Sequence, residues 1–223
     1  MALANVLEDL LEFGNANQEY ERALALAPGN AGLLRLSGEF ACQMGHFEAG
    51  LAAGHRSVEL DPLNPLNHYG LGLSLFFARH FDEAISAFAA ITTLAPDDAS
   101  VNGWIGFASY ASGNFERARA ACEAQGHEGN RYHCLAMVYD KLGRHADAQV
   151  MLRKYLASPG RSPVLDAMVY AQWGDIRRAL DLMDAAMRQQ DPYLEYVKTN
   201  PLLDPLRNEP RFQVIERALK FPD

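Results

Sequence analysis

Three stretches of the chain end in the same way: YERALALAPGN at residues 20–30, GHRSVELDPLN at 54–64 and FAAITTLAPDD at 88–98. The proline of each stretch follows the previous one after 34 residues, at Pro28, Pro62 and Pro96. A fixed period of about 20–50 residues is the signature of a repeat architecture, in which each unit is stabilised by stacking on its neighbours. The sequence therefore predicts a solenoid.

Each unit also carries an internal pattern of small and large residues. In the third unit Leu71-Gly72 precedes Leu75, and Ala84 precedes Phe88 by four positions. The first unit repeats this pattern and the second shows it in degenerate form. The small residue of the first helix recurs at positions 4, 38, 72, 106, 136 and 167. Because neighbouring helices approach closely only where side chains are small, these positions predict six helix pairs.

Local signals favour helices throughout. Asparagine, serine or aspartate stands directly before proline at Asn64-Pro65, Ser162-Pro163 and Asp191-Pro192, which is typical of a helix N-terminus. Glycines that suit a left-handed turn separate the two helices of four units, at Gly45, Gly113, Gly143 and Gly174. No segment alternates with period two, so we expect no sheet.

The period of 34 residues and the internal pattern resemble those of the tetratricopeptide repeat (TPR). The resemblance covers the whole chain and implies an all-α TPR solenoid, a right-handed superhelix of about six helix-turn-helix repeats with a C-terminal capping helix. We predict a TPR array over 1–190 and a capping segment over 191–223. The predicted repeats are about 1–30, 31–64, 65–98, 99–128, 129–159 and 160–190.

The last third is similar to the C-terminal TPR array of bacterial signalling proteins. The likeness lies in YHCLAMVYDKLGRHADA (132–148), YAQWGDIRRALDLMDAAMRQQDP (170–192) and above all NPLLDPLRNEPRF (200–212). In those families the array follows a nucleotide cyclase, winged-helix or kinase domain. The resemblance does not indicate which of them, and this chain contains none of them.

The two ends carry separate expectations. The first repeat begins near the middle of its first helix, which fits either a degenerate capping repeat or a chain cut from a longer protein. At the other end Phe212, Ile215 and Leu219 form one apolar stripe of a last helix. We expect this helix to cover the open end of the stack, as terminal caps do in solenoids.

Composition and charge exclude several classes of protein. Hydrophobic residues make up 49% and charged residues 22%, which is typical of a globular chain. The net charge of -8 argues against nucleic acid and anionic membranes as partners, and residues 1–100 hold 13 acidic but only 4 basic side chains. No signal peptide or membrane span is visible. Three cysteines without a C-x-x-C pair indicate no disulfide framework, and we expect a reduced, cytoplasmic, bacterial compartment.

No constellation for catalysis is present. Gly70-x-Gly72 is followed by Leu75 where a dinucleotide-binding loop needs glycine, and no phosphate-binding loop occurs. His127, His133 and Cys134 could hold a metal across a shortened connection, but we favour two ordinary histidines and a buried cysteine. The sequence predicts no enzyme, no cofactor and no metal centre.

The first helices of this repeat type line an inner groove, and rotation by about 100° per residue assigns their faces. Leu71, Gly72, Leu75 and Ala78 form the packing face of the third repeat. The predicted partner-binding groove residues are Tyr69, Leu73, Phe76, Phe77, Phe107, Tyr110, His133, Met137, Asp140 and Lys141. In the second repeat the same face holds Arg35, Glu39, Cys42 and Gln43. TPR proteins that grip a peptide carboxylate use Lys, Arg and Asn where this chain has Leu73, Phe107 and Met137, so the resemblance excludes that clamp.

Two functions remain. The first is a non-catalytic protein–protein interaction scaffold that binds a peptide or helix with apolar anchor residues in the aromatic groove. The alternative is a regulatory or sensor TPR module of a larger bacterial signalling protein, a nucleotide cyclase or a transcriptional regulator. A core role for the aromatic stripe also stays open, because aromatic residues at helical spacing are more often buried. The partner and the oligomeric state, a homo-oligomer included, are left open.

Overall fold

Helices succeed one another along the whole computed structural model, which describes residues 2–96 and 98–222; no strand occurs within these ranges. The longer helices are α1 (Ala2–Asp9), α2 (Phe13–Leu26), α3 (Ala31–Gln43), α4 (Phe47–Leu60), α5 (Pro65–Phe77), α6 (Phe81–Leu94), α7 (Asn102–Ala111), α8 (Phe115–Glu123), α9 (Glu128–Lys141), α10 (His145–Leu156), α11 (Pro163–Gln172), α12 (Ile176–Gln189) and α13 (Pro210–Leu219). Short 3-10 helices cover Ala99–Val101, Pro192–Tyr196 and Pro201–Leu206.

The helices pack in successive pairs, from α1 with α2 to α11 with α12, and each pair stacks on the next. The predicted caps are confirmed, because the side chains of Asn64, Ser162 and Asp191 accept hydrogen bonds from the backbone N–H groups that open the following helix. Each predicted repeat range contains one helix pair, except that α9 begins at Glu128, the last residue of the fourth range. We retain these ranges as a proposal about where one repeat passes to the next.

Small residues allow the close approach within each pair, as the sequence indicated. A Cβ atom on Gly72 would lie 2.5 Å from the ring of Phe88 on the partner helix. In the degenerate second repeat, a Cβ on Gly38 would lie 2.8 Å from the carbonyl oxygen of Gly50. In the second repeat the backbones of α3 and α4 therefore contact each other directly at Gly38 and Gly50, because neither glycine has a side chain to separate them.

The cysteine prediction is wrong for two of the three residues. Cys122 on α8 and Cys134 on α9 form a disulfide with their Cα atoms 5.8 Å apart, while Cys42 is free and buried. A Cβ on Gly106 would collide with both sulfur atoms, so the absence of a side chain there leaves room for them to meet. The inference of a reducing compartment rested on unpaired cysteines and loses that basis.

The C-terminal segment has two parts. Helix α13 packs on α12 with Phe212, Ile215 and Leu219 all buried, which confirms the predicted apolar stripe of the capping helix. The preceding residues 191–209 do not stay at the end of the stack but return toward the first repeats. No helix in the described residues is long and apolar enough to cross a membrane.

Candidate functional site

Residues 191–209 run along the first helices of the repeats, where the sequence placed the groove. The Tyr196 ring stacks on Phe77 of α5, with ring centroids 5.4 Å apart. The Thr199 hydroxyl donates a hydrogen bond of 3.2 Å to the carbonyl oxygen of Gln43 at the end of α3. The segment therefore lies within the predicted groove, against α3 and α5.

Most of the predicted groove residues are enclosed within the protein. The expectation that they face an open channel is wrong for six of them, which are buried: Leu73, Phe76, Phe77, Tyr110, His133 and Met137. Phe76 packs on both Phe77 and Trp104, so its ring belongs to the core. Helical rotation assigns side chains to a face of the helix. It cannot show whether a side chain packs on a neighbouring repeat, as Phe76 does on Trp104, or under a distant segment, as Phe77 does under Tyr196.

Tyr110 is linked to the returning segment through one side chain. Its hydroxyl donates a 2.9 Å hydrogen bond to Oε1 of Gln172 on α11. The Nε2 group of Gln172 donates in turn to the carbonyl oxygen of Leu202, at 2.7 Å. Tyr110 is therefore part of the attachment of the segment.

Asp140 and Lys141 lie at the polar rim. Asp140 accepts a 2.8 Å hydrogen bond from Nδ1 of His145, and the Lys141 ammonium donates to the carbonyl oxygen of Gln172 at 3.0 Å. Lys141 also lines an open depression beside Arg79 and Asp204. Both residues are thus engaged within the chain.

One part of the predicted groove stays open. Tyr69, Phe107 and His133 line a cavity of about 210 Å³ together with Trp104, Tyr193 and Tyr196, which are not among the predicted groove residues. The remaining walls come from Ser100, Gly103, Gln125, Asn130, Leu165, Met168, Asn200 and Leu202. No lysine, arginine, aspartate or glutamate lines this cavity among the described residues, so its surface is aromatic with neutral polar groups.

The aromatic walls hold one another in place. The indole Nε1–H of Trp104 donates a 2.9 Å hydrogen bond to the Tyr69 hydroxyl. The Trp104 ring meets Phe107 edge-on at 5.8 Å, and Phe107 meets the His133 ring at 5.5 Å. Tyr69, Trp104 and Phe107 are nevertheless only half-buried, so their faces are available inside the cavity.

His133 contributes a neutral imidazole. Its Nε2 lies 2.9 Å from the carbonyl oxygen of Leu165, which can only accept, so Nε2 carries the proton and Nδ1 is an acceptor. Burial lowers the pKa of His133 to about 4, because the charged form would lose its solvation. The proposed metal partners of His133 have other contacts, since Cys134 is in the disulfide and Nδ1 of His127 accepts from the Asn130 backbone.

The three aromatic residues of the cavity wall that were not predicted differ in whether a sequence pattern could have identified them. Trp104 lies one helical turn before Phe107 on α7, so the helical period could have found it. Tyr193 and Tyr196 belong to the stretch DPYLEY, which we assigned to the cap. Only its return along the concave face places them opposite α5 and α7.

The fold of the chain is an all-α TPR solenoid, as the sequence predicted. Residues 69–130 match the family model described as "Tetratricopeptide repeat". This stretch covers most of the third predicted repeat, which carries the clearest pattern, and the whole of the fourth. A search of curated protein sequences gives no significant match to the chain.

Solved structures share the fold at low sequence identity. A TPR protein from Parabacteroides merdae ATCC 43184 is 16% identical, with a TM-score of 0.68 over 99% of this chain and 81% of that chain. A MamA structure (MSR-1) is 18% identical, with a TM-score of 0.53 over 69% of this chain and 91% of that chain. The Cut9–Hcn1 complex of the APC/C is 15% identical, with a TM-score of 0.56 over 99% of this chain and 46% of that chain.

Proposed function

We propose that the chain is a non-catalytic protein–protein interaction scaffold that binds a peptide or helix through an apolar anchor in the aromatic cavity. The observation that carries this proposal is the cavity itself, where Tyr69, Trp104 and Phe107 stay half-exposed while the rest of the predicted stripe is buried. Aromatic side chains in concave patches dominate binding energy at protein interfaces. The fold is shared with a chain of the Cut9–Hcn1 hetero-tetramer of the APC/C.

The size of the cavity favours a single side chain as its occupant. Its volume is about 210 Å³. Pockets for drug-sized ligands range from about 300 to 1,000 Å³. An anchor such as Phe, Trp or Leu fits the smaller volume, and the absence of lining charges among the described residues suits an apolar group.

Selection of peptides from a random library displayed on phage tests the proposal. We expect the enriched peptides to share an aromatic or aliphatic anchor. Replacing Phe107 or the exposed Tyr193 by Ala should weaken their binding by about 1–4 kcal/mol, the range of interface hot spots. Tyr132→Ala is the matched control, because Tyr132 lies outside the cavity beside Arg131 and Lys154. Equal affinities for all three variants and the wild type would contradict the proposal.

The alternative, a regulatory array of a larger signalling protein, rests on NPLLDPLRNEPRF. In this chain the residues of that stretch have internal partners: Asp204 pairs with Arg79, and Arg207 pairs with Asp204 and Glu216. Phe212 is fully buried. The stretch therefore has a structural role that accounts for it without an effector domain, and we favour the scaffold.

A further inference from the structure

The polar groups in the wall of the aromatic cavity differ in whether they already have hydrogen-bond partners. The side-chain amide of Gln125 is engaged on both sides, since Nε2 donates to the carbonyl oxygen of Ser100 at 2.7 Å and Oε1 accepts from the backbone N–H of His127 at 3.2 Å. Oδ1 of Asn200 accepts from the backbone N–H of Leu202 at 2.9 Å. These wall groups are therefore satisfied within the protein.

His133 differs from them because one of its ring nitrogens has no partner. The residue is only 4% exposed, and its Nε2 donates to the carbonyl oxygen of Leu165. No described residue donates a hydrogen bond to Nδ1, yet Nδ1 is not among the unpartnered side-chain atoms that are sealed inside the protein. His133 lines the aromatic cavity, so this is the open space in which Nδ1 can accept a hydrogen bond.

The fold holds this imidazole in the form that accepts. Burial lowers the pKa of His133 to about 4, because the charged form would lose its solvation, so Nδ1 keeps its lone pair at neutral pH. The ring is also fixed in orientation, since its centroid lies 5.5 Å from that of Phe107 and 5.0 Å from that of Tyr155. The cavity wall therefore presents a hydrogen-bond acceptor in a set position.

The Tyr69 hydroxyl is a second polar group with unused capacity. It accepts a hydrogen bond from Nε1 of Trp104, and no described residue accepts its own proton. A hydroxyl carries one donor and two acceptor sites, so Tyr69 can still donate. The cavity thus offers a guest an acceptor at His133 and a donor at Tyr69.

The dimensions of the cavity suit one aromatic ring with a polar substituent. Its volume is about 210 Å³. An apolar protein cavity of about 150 Å³ binds benzene, so this one has room for a larger ring. The Trp104 ring in its wall stacks on Phe88 at 6.1 Å and meets Phe76 edge-on at 5.6 Å. The core therefore supports the wall, and the cavity is formed before a guest binds.

We propose that the anchor bound in the aromatic cavity is a tyrosine or tryptophan side chain, whose O–H or N–H group donates a hydrogen bond to Nδ1 of His133. Both side chains combine a large apolar ring with a polar tip. A phenylalanine or leucine anchor would cover Nδ1 without giving it a donor, and burial of an unpaired acceptor weakens binding. This inference rests on the proposed function and narrows its anchor from an apolar side chain to an aromatic donor.

Two small molecules that differ by one hydroxyl group test the inference. These are p-cresol and toluene, which reproduce the side chains of tyrosine and phenylalanine. NMR follows binding through the indole N–H signal of Trp104, and that of Trp173 is the internal control, because its Nε1 donates to the carbonyl oxygen of Ala136 outside the cavity. We expect p-cresol to shift the Trp104 signal and to bind about five to ten times more tightly than toluene, the contribution of one hydrogen bond. A cavity without a usable acceptor would give the opposite order, because the hydroxyl is costly to desolvate.

One variant and one control locate the hydrogen bond. His133→Phe keeps an aromatic ring but removes the acceptor, so toluene should then bind more tightly than p-cresol. His55→Phe, at an exposed position on α4, should leave the order unchanged. Circular dichroism checks that both variants fold. The comparison of the two molecules on the wild-type protein does not depend on either variant.

The outcomes separate this inference from the proposed function. Equal or tighter binding of toluene by the wild type would overturn the inference and leave the scaffold with an apolar anchor in place, as would an unchanged order in folded His133→Phe. Among the peptides selected from the phage library, we expect tyrosine or tryptophan at the anchor position, and enrichment of phenylalanine or leucine would overturn the inference alone. If neither molecule shifts the Trp104 signal, the inference also fails, whereas the scaffold is judged by whether the library yields any anchored peptide.

Discussion

Phe77 lies between its own repeat and the returning C-terminal segment. Its ring contacts Phe76 on one side and Tyr196 on the other, and no part of it reaches solvent. Tyr69, two turns earlier on the same helix, is only half-buried and lines the open cavity. The two positions thus have different roles, because the Tyr196 ring packs directly on Phe77, whereas Tyr69 faces a cavity that Tyr196 helps to line.

This difference predicts the effect of substitution at single residues. Phe77→Ala should lower the free energy of unfolding by roughly 3–5 kcal/mol, as expected for a buried Phe, similar to the roughly 2–5 kcal/mol for Leu75→Ala on the packing face. Tyr193→Ala, at an exposed position, should cost much less. Urea denaturation followed by circular dichroism measures all three. A cost below about 1 kcal/mol for Phe77→Ala would show that the Phe77 ring is not part of the core.

At the scale of the elements, the turns between paired helices share one conformation. Gly45, Gly113, Gly143 and Gly174 have positive φ angles between 73° and 88°, as the sequence predicted. The third pair places Arg79 there instead, with φ of 68°. Arg79 makes two hydrogen bonds to the carboxylate of Asp204, at 2.6 and 2.8 Å, so the turn also anchors the returning segment.

Two substitutions at Arg79 separate the backbone strain from the ion pair. Arg79→Ala and Arg79→Gly both remove the pair with Asp204, but only alanine keeps a side chain at positive φ. We expect the glycine variant to be more stable than the alanine variant by about 1 kcal/mol, the cost of a left-handed residue with a Cβ.

The matched control is Gly113→Ala, where φ is 82° and nothing lies within 4 Å of an added Cβ. This substitution should destabilise the protein by a similar amount, about 1 kcal/mol, through the backbone alone. Thermal and urea unfolding measure all three variants. Equal stability of the two Arg79 variants would argue against strain at this turn.

At the scale of the whole molecule, the C-terminal segment contacts the first repeats. The rings of Phe13 on α2 and Phe221 near the C-terminus stack at 5.0 Å, and Thr199 is bonded to the end of α3. In an open solenoid each repeat contacts only its neighbours, so distant repeats unfold with little coupling. Here the C-terminal segment couples the first repeats to the last.

Deletion of residues 200–223 tests this coupling. Hydrogen exchange should increase in α2 and α3, although they lie more than 150 residues away in sequence, because the deletion removes the Phe221 ring and weakens the hold on Gln43. The melting temperature should fall as well, because the buried face of α12 loses its cover. Amides of α9 and α10 serve as the internal control. Unchanged exchange in α2 and α3 would show that the segment is only an end cap.

Much of the local structure follows from the sequence. The 34-residue spacing of Pro28, Pro62 and Pro96 predicts the helix pairs, and the asparagine before Pro65 and the turn glycines predict where helices begin and end. These features depend on contacts within a repeat or between adjacent repeats. Residues that make such contacts lie close together in the sequence and recur in each repeat. The periodic sequence pattern therefore predicts the contacts.

The functional surface depends on contacts that no pattern encodes. Residues 191–209 carry no repeat, and their path along the concave face is decided by single contacts such as Tyr196 on Phe77 and Asp204 on Arg79. That path covers Phe77 and places Tyr193 and Tyr196 in the wall of the aromatic cavity. The sequence by itself determined the solenoid, because its period records neighbour contacts. Only the tertiary structure decided which of its surfaces remain accessible, because that depends on residues far apart in the chain.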